Sequence, residues 1–300
     1  MARLRWGVLS TASIGRLMIE AAGQATQAEF VAVASRDAAR ARVFAAEHGL
    51  EASFGSYEEL LASEDAARCF DAAQAAGRRC VEGLMWRHHP QTTLARQLVA
   101  DGAIGRLATV RAALSVSVPT GDIRRSAELG GGALGDLGCY CVSAIRLFAG
   151  EPERVYADQV PDGAGAVELR LAATLRLPGD VLAQLDIGLD LARRDELELI
   201  GNDGRLTVPD PWLCRSGHLE LDRDGRVERV PVDPDGAKGL TDPDHDVYRI
   251  ELDTVSAAIT RGDQSPFGRA DAIAQAGTLE ALRRSGELGA PVARGKVVTI

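Results

Sequence analysis

Four segments of the chain bring together residue types that could do chemistry. In the first, Gly7-Val8-Leu9-Ser10-Thr11-Ala12-Ser13-Ile14-Gly15, small residues at 10, 12 and 15 fall where a strand must reverse into a helix. Smallness there lets backbone N–H groups at the positive end of the helix approach a pyrophosphate, and the Ser10 and Thr11 hydroxyls can add hydrogen bonds. Ser10, Thr11, Ala12, Ile14 and Gly15 are therefore candidate dinucleotide contacts. The full G-x-G-x-x-G fingerprint carries glycine where this chain has Ser10 and Ala12, which tolerate positive φ less readily. The same segment also serves as an ordinary turn in any α/β domain. About 20 residues beyond such a turn a NAD site usually places an acid for the ribose hydroxyls, and here the chain reads Ser35-Arg36. A hydroxyl beside a guanidinium suits a 2′-phosphate and favours NADP. Asp37 next door leaves NAD open, and a solvated arginine opening a helix accounts for Arg36 equally well.

The other two segments lie further on. "EGLMWRHHPQ", residues 82 to 91, gathers an acid, Trp86, Arg87 and two histidines, a mixture suited to hydroxyl-rich ligands through hydrogen bonds and ring stacking. His88 and His89 taken alone fit surface or helix-capping roles, and no third ligand at helical spacing makes them a metal site. "GGGALGDLGCYCVSAIRLFAG", residues 130 to 150, sets a flexible glycine-rich loop before a helix. Asp136 and Tyr140, four apart, share one face of that helix; a tyrosine there also packs in ordinary cores. Cys139 and Cys141 lie on different faces and read as packing residues.

These candidates need elements to hold them. "LRWGVL" and "FVAVA" read as strands covered on both faces, each followed by a helix, the second helix ending at Gly49. A third short strand spans 52 to 54, and Ser56 with Glu59 forms a capping box for the next helix. This alternation predicts a parallel, doubly wound sheet. It stops early, because no apolar strand lies between 60 and 78, and the next strand is expected at 79 to 84. A helix opening at Pro90 leads into alternating segments with Gly, Asp and Pro turns, the pattern of a mainly antiparallel sheet open on one face. The expected fold class is α/β, a shortened Rossmann-type parallel sheet plus an α+β domain. The expected domains are 1–86 for the nucleotide and 87–300 for substrate and dimerisation.

Composition narrows the function classes. The chain has 300 residues, a net charge of −9 and 46% hydrophobic content. No basic cluster offers a footprint for nucleic acid or an anionic membrane, and no apolar run nears the roughly 20 residues of a membrane helix. Five cysteines without a CxxC pair, and an N-terminus lacking a long apolar stretch, point to a reduced, cytoplasmic protein. Lysine occurs only at 238 and 296.

Taken in order, "WGVLSTASIG" with "VASR", "SYEELLA", "AGRRCVEGLMWRHHPQ" and "GGGALGDLGCYCVSA" resemble the glucose-fructose oxidoreductase and inositol dehydrogenase (Gfo/Idh/MocA) family. The likeness is nearest to its NADP-dependent xylose dehydrogenases and dimeric dihydrodiol dehydrogenases, and it covers nearly the whole chain. It implies hydride transfer between NADP and a sugar or diol hydroxyl, with Tyr140 as acid/base, Asp136 orienting it or the substrate, and Trp86 and Arg87 lining the sugar pocket. The residues themselves give no expectation of a metal, nucleic-acid or membrane partner, and an alternating sheet with an apolar outer face suits a homodimer or higher oligomer. Family members carry two more strands and a Glu-Lys-Pro turn after the "SYEELLA" segment, and this chain lacks them. In the 3-2-1-4-5-6 strand order the fourth and fifth strands line the dinucleotide crevice. Without the turn's lysine, a tyrosine of pKa near 10 has no neighbour to lower it. General acid/base catalysis is worth roughly 100- to 10,000-fold, so a catalytically impaired protein that binds nucleotide or sugar, or only dimerises, is the competing expectation.

Overall fold

The computed structural model describes residues 3–9, 11–35, 37–55, 73–75, 77, 79–163, 167–263 and 267–293. Ser10, Arg36 and the capping box at Ser56 and Glu59 lie outside the described residues. The chain folds as two compact units: Met1–His89 with Lys238–Ile273, and Pro90–Ala237 with Ala274–Ile300. The sequence reading put everything after residue 86 in the second domain; the first unit instead takes in residues 238–273.

In the first unit, β1 (Leu4–Leu9), α1 (Ser13–Gln24), β2 (Ala28–Ala34), α2 (Ala38–His48) and β3 (Ala52–Phe54) follow one another. The strands are parallel in the order β1-β2-β3, the expected doubly wound start. Gly49 ends α2 in the left-handed region (φ +66), and Leu50 donates its N–H to the Ala45 carbonyl at 2.9 Å. That closing bond turns Leu50 back onto the cluster of Val8, Val33, Phe44 and Ala45.

No strand forms at 79–84. The Leu84 N–H turns back onto the Glu82 carbonyl at 3.0 Å, and Arg87 N–H onto the Leu84 carbonyl at 3.1 Å. A backbone folded on itself cannot lend those groups to a neighbouring strand. A 3₁₀ turn at Met85–His88 follows.

The first unit also owns α5 (Asp246–Arg261), numbered after two helices of the second unit. Ala22 of α1, Ala25, Ala28 of β2 and Leu252 of α5 bury one another, with Trp6 and Met18 packed against them. The Trp6 indole N–H donates to Ser256 Oγ at 3.0 Å. Asp253 Oδ1 accepts from the backbone N–H groups of Thr26 and Gln27, each at 2.9 Å. An apolar seam and satisfied loop amides hold this distant helix against the α1–β2 corner, a partnership with no local sequence signal.

The second unit comprises α3 (Pro90–Ala100), β4 (Leu107–Ser117), a π-turn at Leu134–Gly138, α4 (Cys139–Ala149), β5 (Arg154–Pro161), β6 (Glu168–Arg176), β7 (Leu182–Gly188), β8 (Asp190–Gly201), β9 (Arg205–Thr207), β10 (His218–Arg223), β11 (Arg226–Pro231) and β12 (Val292–Ala293). A last helix, α6 (Arg269–Leu288), contains the boundary between the units. The nine strands form one sheet, ordered β11-β10-β9-β8-β4-β7-β6-β5-β12, in which only β4 and β7 pair in parallel. The expected antiparallel texture is present. Leu171, Ala173 and Leu175 alternate with exposed Ala172 and Thr174 along β6, so one face is core and the other is open.

The one segment among the described residues long and apolar enough by composition to cross a membrane is Ala127–Ala149. It is broken by a glycine loop and 61% buried over its apolar window, so it is a core element of this unit.

Replacing Asp253 by Ala strips two loop amides of their acceptor. The expected loss is about 1–2 kcal/mol of stability in urea denaturation; an unchanged midpoint would show that the carboxylate holds nothing.

Candidate active site

The turn before α1 is described from Thr11 onward. Ala12 precedes α1 at φ −71, ψ 158, an extended conformation open to any residue, so the departure from glycine at 12 costs no backbone strain. Helix α1 starts with no side-chain cap and no acid in its first turn, and Gly15 is buried. At the end of β2, Ser35 is 6% exposed and its hydroxyl accepts the Asp37 N–H at 3.3 Å. Asp37 caps α2, its Oδ1 accepting from Ala39 and Arg40 N–H at 2.8 and 3.1 Å. Those backbone bonds hold its carboxyl below the usual carboxylate range. The acid that left NAD open is thus engaged as a helix cap. Thr11 is half-buried and Ile14 is 44% exposed.

Trp86 and Arg87, the expected pocket residues, both have little exposed surface. Trp86 is 1% exposed. The Arg87 side chain, 2% exposed, donates to Asp271 Oδ2 at 2.7 Å, lies 3.7 Å from Glu82 Oε2, and stacks its guanidinium 4.8 Å from the Phe267 ring centre. Of His88 and His89, expected at the surface or in capping roles, His89 is buried and His88 is half-buried with its side chain 6% exposed. Desolvation first, and for His88 the Arg87 charge second, lowers both to about 4, so both are neutral at pH 7. Glu251 of α5 completes this interior. It is 3% exposed, its Oε1 has no hydrogen-bond partner among the described residues, and His88 Nε2 stands 4.0 Å away. Burial pushes its carboxyl up to about 8, against the opposing pull of Arg87. Nothing in the sequence marked Glu251, which sits in an ordinary amphipathic helix.

In the second unit, Asp136 lies in the π-turn and Tyr140 in the first turn of α4. A π-turn inside a helix is uncommon and recurs at functional sites. Its cause is local. Glu168 of β6 accepts the Leu134 N–H at 2.8 Å, and Gly132 (φ +125) lets it in, because a Cβ there would sit 2.4 Å from Glu168 Oε1. A Cβ at Gly131 would meet the Arg124 carbonyl at 2.5 Å. These glycines, expected to give flexibility, are instead sites of close packing. Asp136 Oδ2 lies 3.8 Å from Arg124 Nη1, and Arg124 is held by both oxygens of Asp122 at 2.9 Å. Desolvation raises the Asp136 carboxyl, Arg124 opposing, while hydrogen bonds from Arg124 lower Asp122 to about 2. The Tyr140 ring packs edge-on to Trp212, centroids 5.8 Å apart. Arg124 and Trp212 were not singled out in the sequence.

Comparison with known proteins places this geometry among relatives. Residues 92–207 match the family described as GFO/IDH/MocA C-terminal domain. D-xylose 1-dehydrogenase (NADP(+)) 2 of Haloferax volcanii is 30% identical over 335 aligned positions, covering 96% of this chain and 99% of that protein. Trans-1,2-dihydrobenzene-1,2-diol dehydrogenase of Danio rerio is 26% identical over 94% of this chain and 96% of its own. Among solved structures, a 3-ketoreductase from Actinomadura kijaniata in complex with NADP and TDP-benzene superposes with a TM-score of 0.79 at 25% identity, covering 95% of this chain and 98% of that one.

The Glu251 environment sets a pH dependence. A folded-state pKa raised from 4.5 to about 8 contributes stability that is complete below about pH 4.5 and lost as pH rises through about 8. Glu251→Gln should therefore melt progressively higher than the parent from pH 5 to 8.5, by several degrees at the upper end. The histidine contributions, shared by both proteins, cancel in the difference. A pH-independent gap would mean that Glu251 is ionised in the fold.

Proposed function

This chain belongs to the GFO/IDH/MocA family, and from that premise we propose that it is an NADP-dependent oxidoreductase moving hydride between the cofactor and a sugar or diol hydroxyl. The observation that carries the reading is the full-length relationship to a protein named as an NADP-dependent xylose dehydrogenase, joined to a phosphate turn that fits. A helix start without a capping side chain or an acid in its first turn suits a diphosphate, although the Gly15 N–H already donates to the Ala12 carbonyl at 3.0 Å. The fit extends to the ribose end, where Asp37 is engaged in capping and Ser35 stands at the strand end. Thr11, Ala12, Ile14, Gly15 and Ser35, with Ser10 and Arg36 by sequence, are the residues we assign to the nucleotide. When bound, the cofactor supplies or accepts the hydride.

Tyr140 is assigned the proton: its hydroxyl gives one to the substrate oxygen in reduction and takes one in oxidation. Asp136, its carboxyl raised by burial and tied to Arg124, orients a substrate hydroxyl. Trp86 and Arg87 act from the interior of the first unit, fixing the segment that carries them. The open face of the sheet, where Arg111, Asp158, Asp186 and Glu198 border a hollow of about 520 Å³, suits a second copy of this chain. Sedimentation should therefore give a homodimer, and a monomer at micromolar concentration would remove that assignment.

A second reading, nucleotide or sugar binding without turnover, draws support from the parallel sheet, which has three strands among the described residues. The 335 aligned positions of the xylose dehydrogenase comparison also exceed the 300 residues of this chain. NADPH absorbance followed with a panel of aldoses and diols, beside calorimetric titration of NADP and NAD, separates the two. The oxidoreductase reading expects turnover, NADP bound more tightly than NAD, and about a tenfold loss of NADP affinity in Arg36→Ala. Tyr140→Phe should cut turnover roughly 100-fold or more and leave nucleotide affinity unchanged. Binding without turnover selects the second reading, and no binding of either nucleotide ends both cofactor assignments.

A further inference from the structure

Four non-glycine residues among those described have positive φ: Asp180, Asp210, Cys214 and Asp224. Asp180 and Asp224 each adjoin a positive-φ glycine, Gly179 and Gly225, in turns that link neighbouring strands, an ordinary place for aspartate in this conformation. Asp210 (φ +46) and Cys214 (φ +58) are different. They flank Trp212, which is 2% exposed, and Cys214 is itself buried. A strained backbone persists only where its surroundings over-determine it, and such positions concentrate at functional sites.

The surroundings here are explicit. Cys214 N–H donates to the Asp210 carbonyl at 2.8 Å and closes the turn. Arg215 Nε donates to Asp210 Oδ2 at 2.6 Å. Gln91, fully buried at the start of α3, donates to the Asp210 carbonyl at 3.4 Å and accepts from the Ser216 hydroxyl at 2.9 Å. The indole N–H of Trp212 donates to the Ala113 carbonyl of β4 at 3.2 Å. With its nitrogen fixed to the sheet and its backbone fixed on both sides, the indole has one orientation, and its ring meets Tyr140 at 66°, centroids 5.8 Å apart.

We propose that Trp212 is a positioning residue for Tyr140, and that the strained turn from Asp210 to Cys214 exists to hold the indole against the phenol. This rests on the reading of Tyr140 as the proton-transferring group. Proton transfer requires the hydroxyl within hydrogen-bond reach of the substrate oxygen, and a ring wall on one side restricts the directions in which the phenol can offer it. The gain is one of orientation, so it appears in kcat more than in KM.

The test uses the whole chain labelled with fluorotyrosine. Its four tyrosines give four fluorine resonances, and the one missing in Tyr140→Phe belongs to Tyr140. In Trp212→Leu that resonance is expected to move while the other three stay, and Trp212→Phe, which keeps a ring, should restore most of the displacement. With turnover measured, Trp212→Leu should lower kcat about tenfold and change KM by less than about twofold, with partial recovery in Trp212→Phe. An unmoved Tyr140 resonance, or unchanged kcat, in Trp212→Leu overturns the proposal. So does a shift of all four resonances in both variants, which would make Trp212 a general core residue. If the parent shows no turnover with any sugar or diol, the oxidoreductase reading fails by itself, and the fluorine spectra still decide whether Trp212 sets the Tyr140 ring.

Discussion

The second unit hangs on one strand. β4 pairs in parallel with β7 on one side and antiparallel with β8 on the other, so both halves of the nine-stranded sheet meet on its backbone. Val110, Ala112 and Leu114 face the core, while on the opposite face Arg111 is exposed and Ala113 and Ser115 are covered. Because strand residues alternate strictly, a slip of one residue in this ladder would exchange the two faces and bury the arginine. The same strand supplies the carbonyl that fixes Trp212, so the ladder that builds the sheet also sets the ring beside Tyr140.

Charge burial organises the first unit in a comparable way. Arg87 is nearly inaccessible, and its partners Asp271, Glu82 and Phe267 satisfy it from several sides. Removing one partner from such an arrangement costs more than the pair contributes, because a buried charge is left behind. Glu251 meets the opposite fate. With His88 neutral nearby and no hydrogen bond to Oε1 among the described residues, its cheapest state is protonated. Two ionisable groups close in the fold thus carry different charges at pH 7, because one is compensated and the other is not.

The turn leading into α1 shows how conformation, not residue identity alone, decides where glycine is needed. Ala12 stands where the fingerprint expects glycine, yet its extended backbone makes no use of glycine's freedom. Gly131 and Gly132 show the converse, since their missing Cβ atoms make room for a carbonyl and a carboxylate. Asp37 could serve a ribose or a helix, and in the fold two amide bonds commit it to the helix.

What the sequence determined by itself was local: the βαβ start through β3, the cap at Gly49, the alternating strands of the sheet, and the segments holding Asp136 and Tyr140. Each follows from periodicity, turn chemistry or residue size over a few neighbours, and those forces act whatever the rest of the chain does. The tertiary structure decided the long-range matters. It drew α5 into the first unit through Leu252, Ser256 and Asp253, left residues 79–84 out of the sheet with Leu84 turned back onto Glu82, and buried Trp86, Arg87 and His89. It also brought Trp212 to Tyr140 and Arg124 to Asp136. These outcomes depend on which surfaces meet after the elements form, and burial, charge compensation and ring contact between residues distant in sequence leave no periodic trace in the sequence.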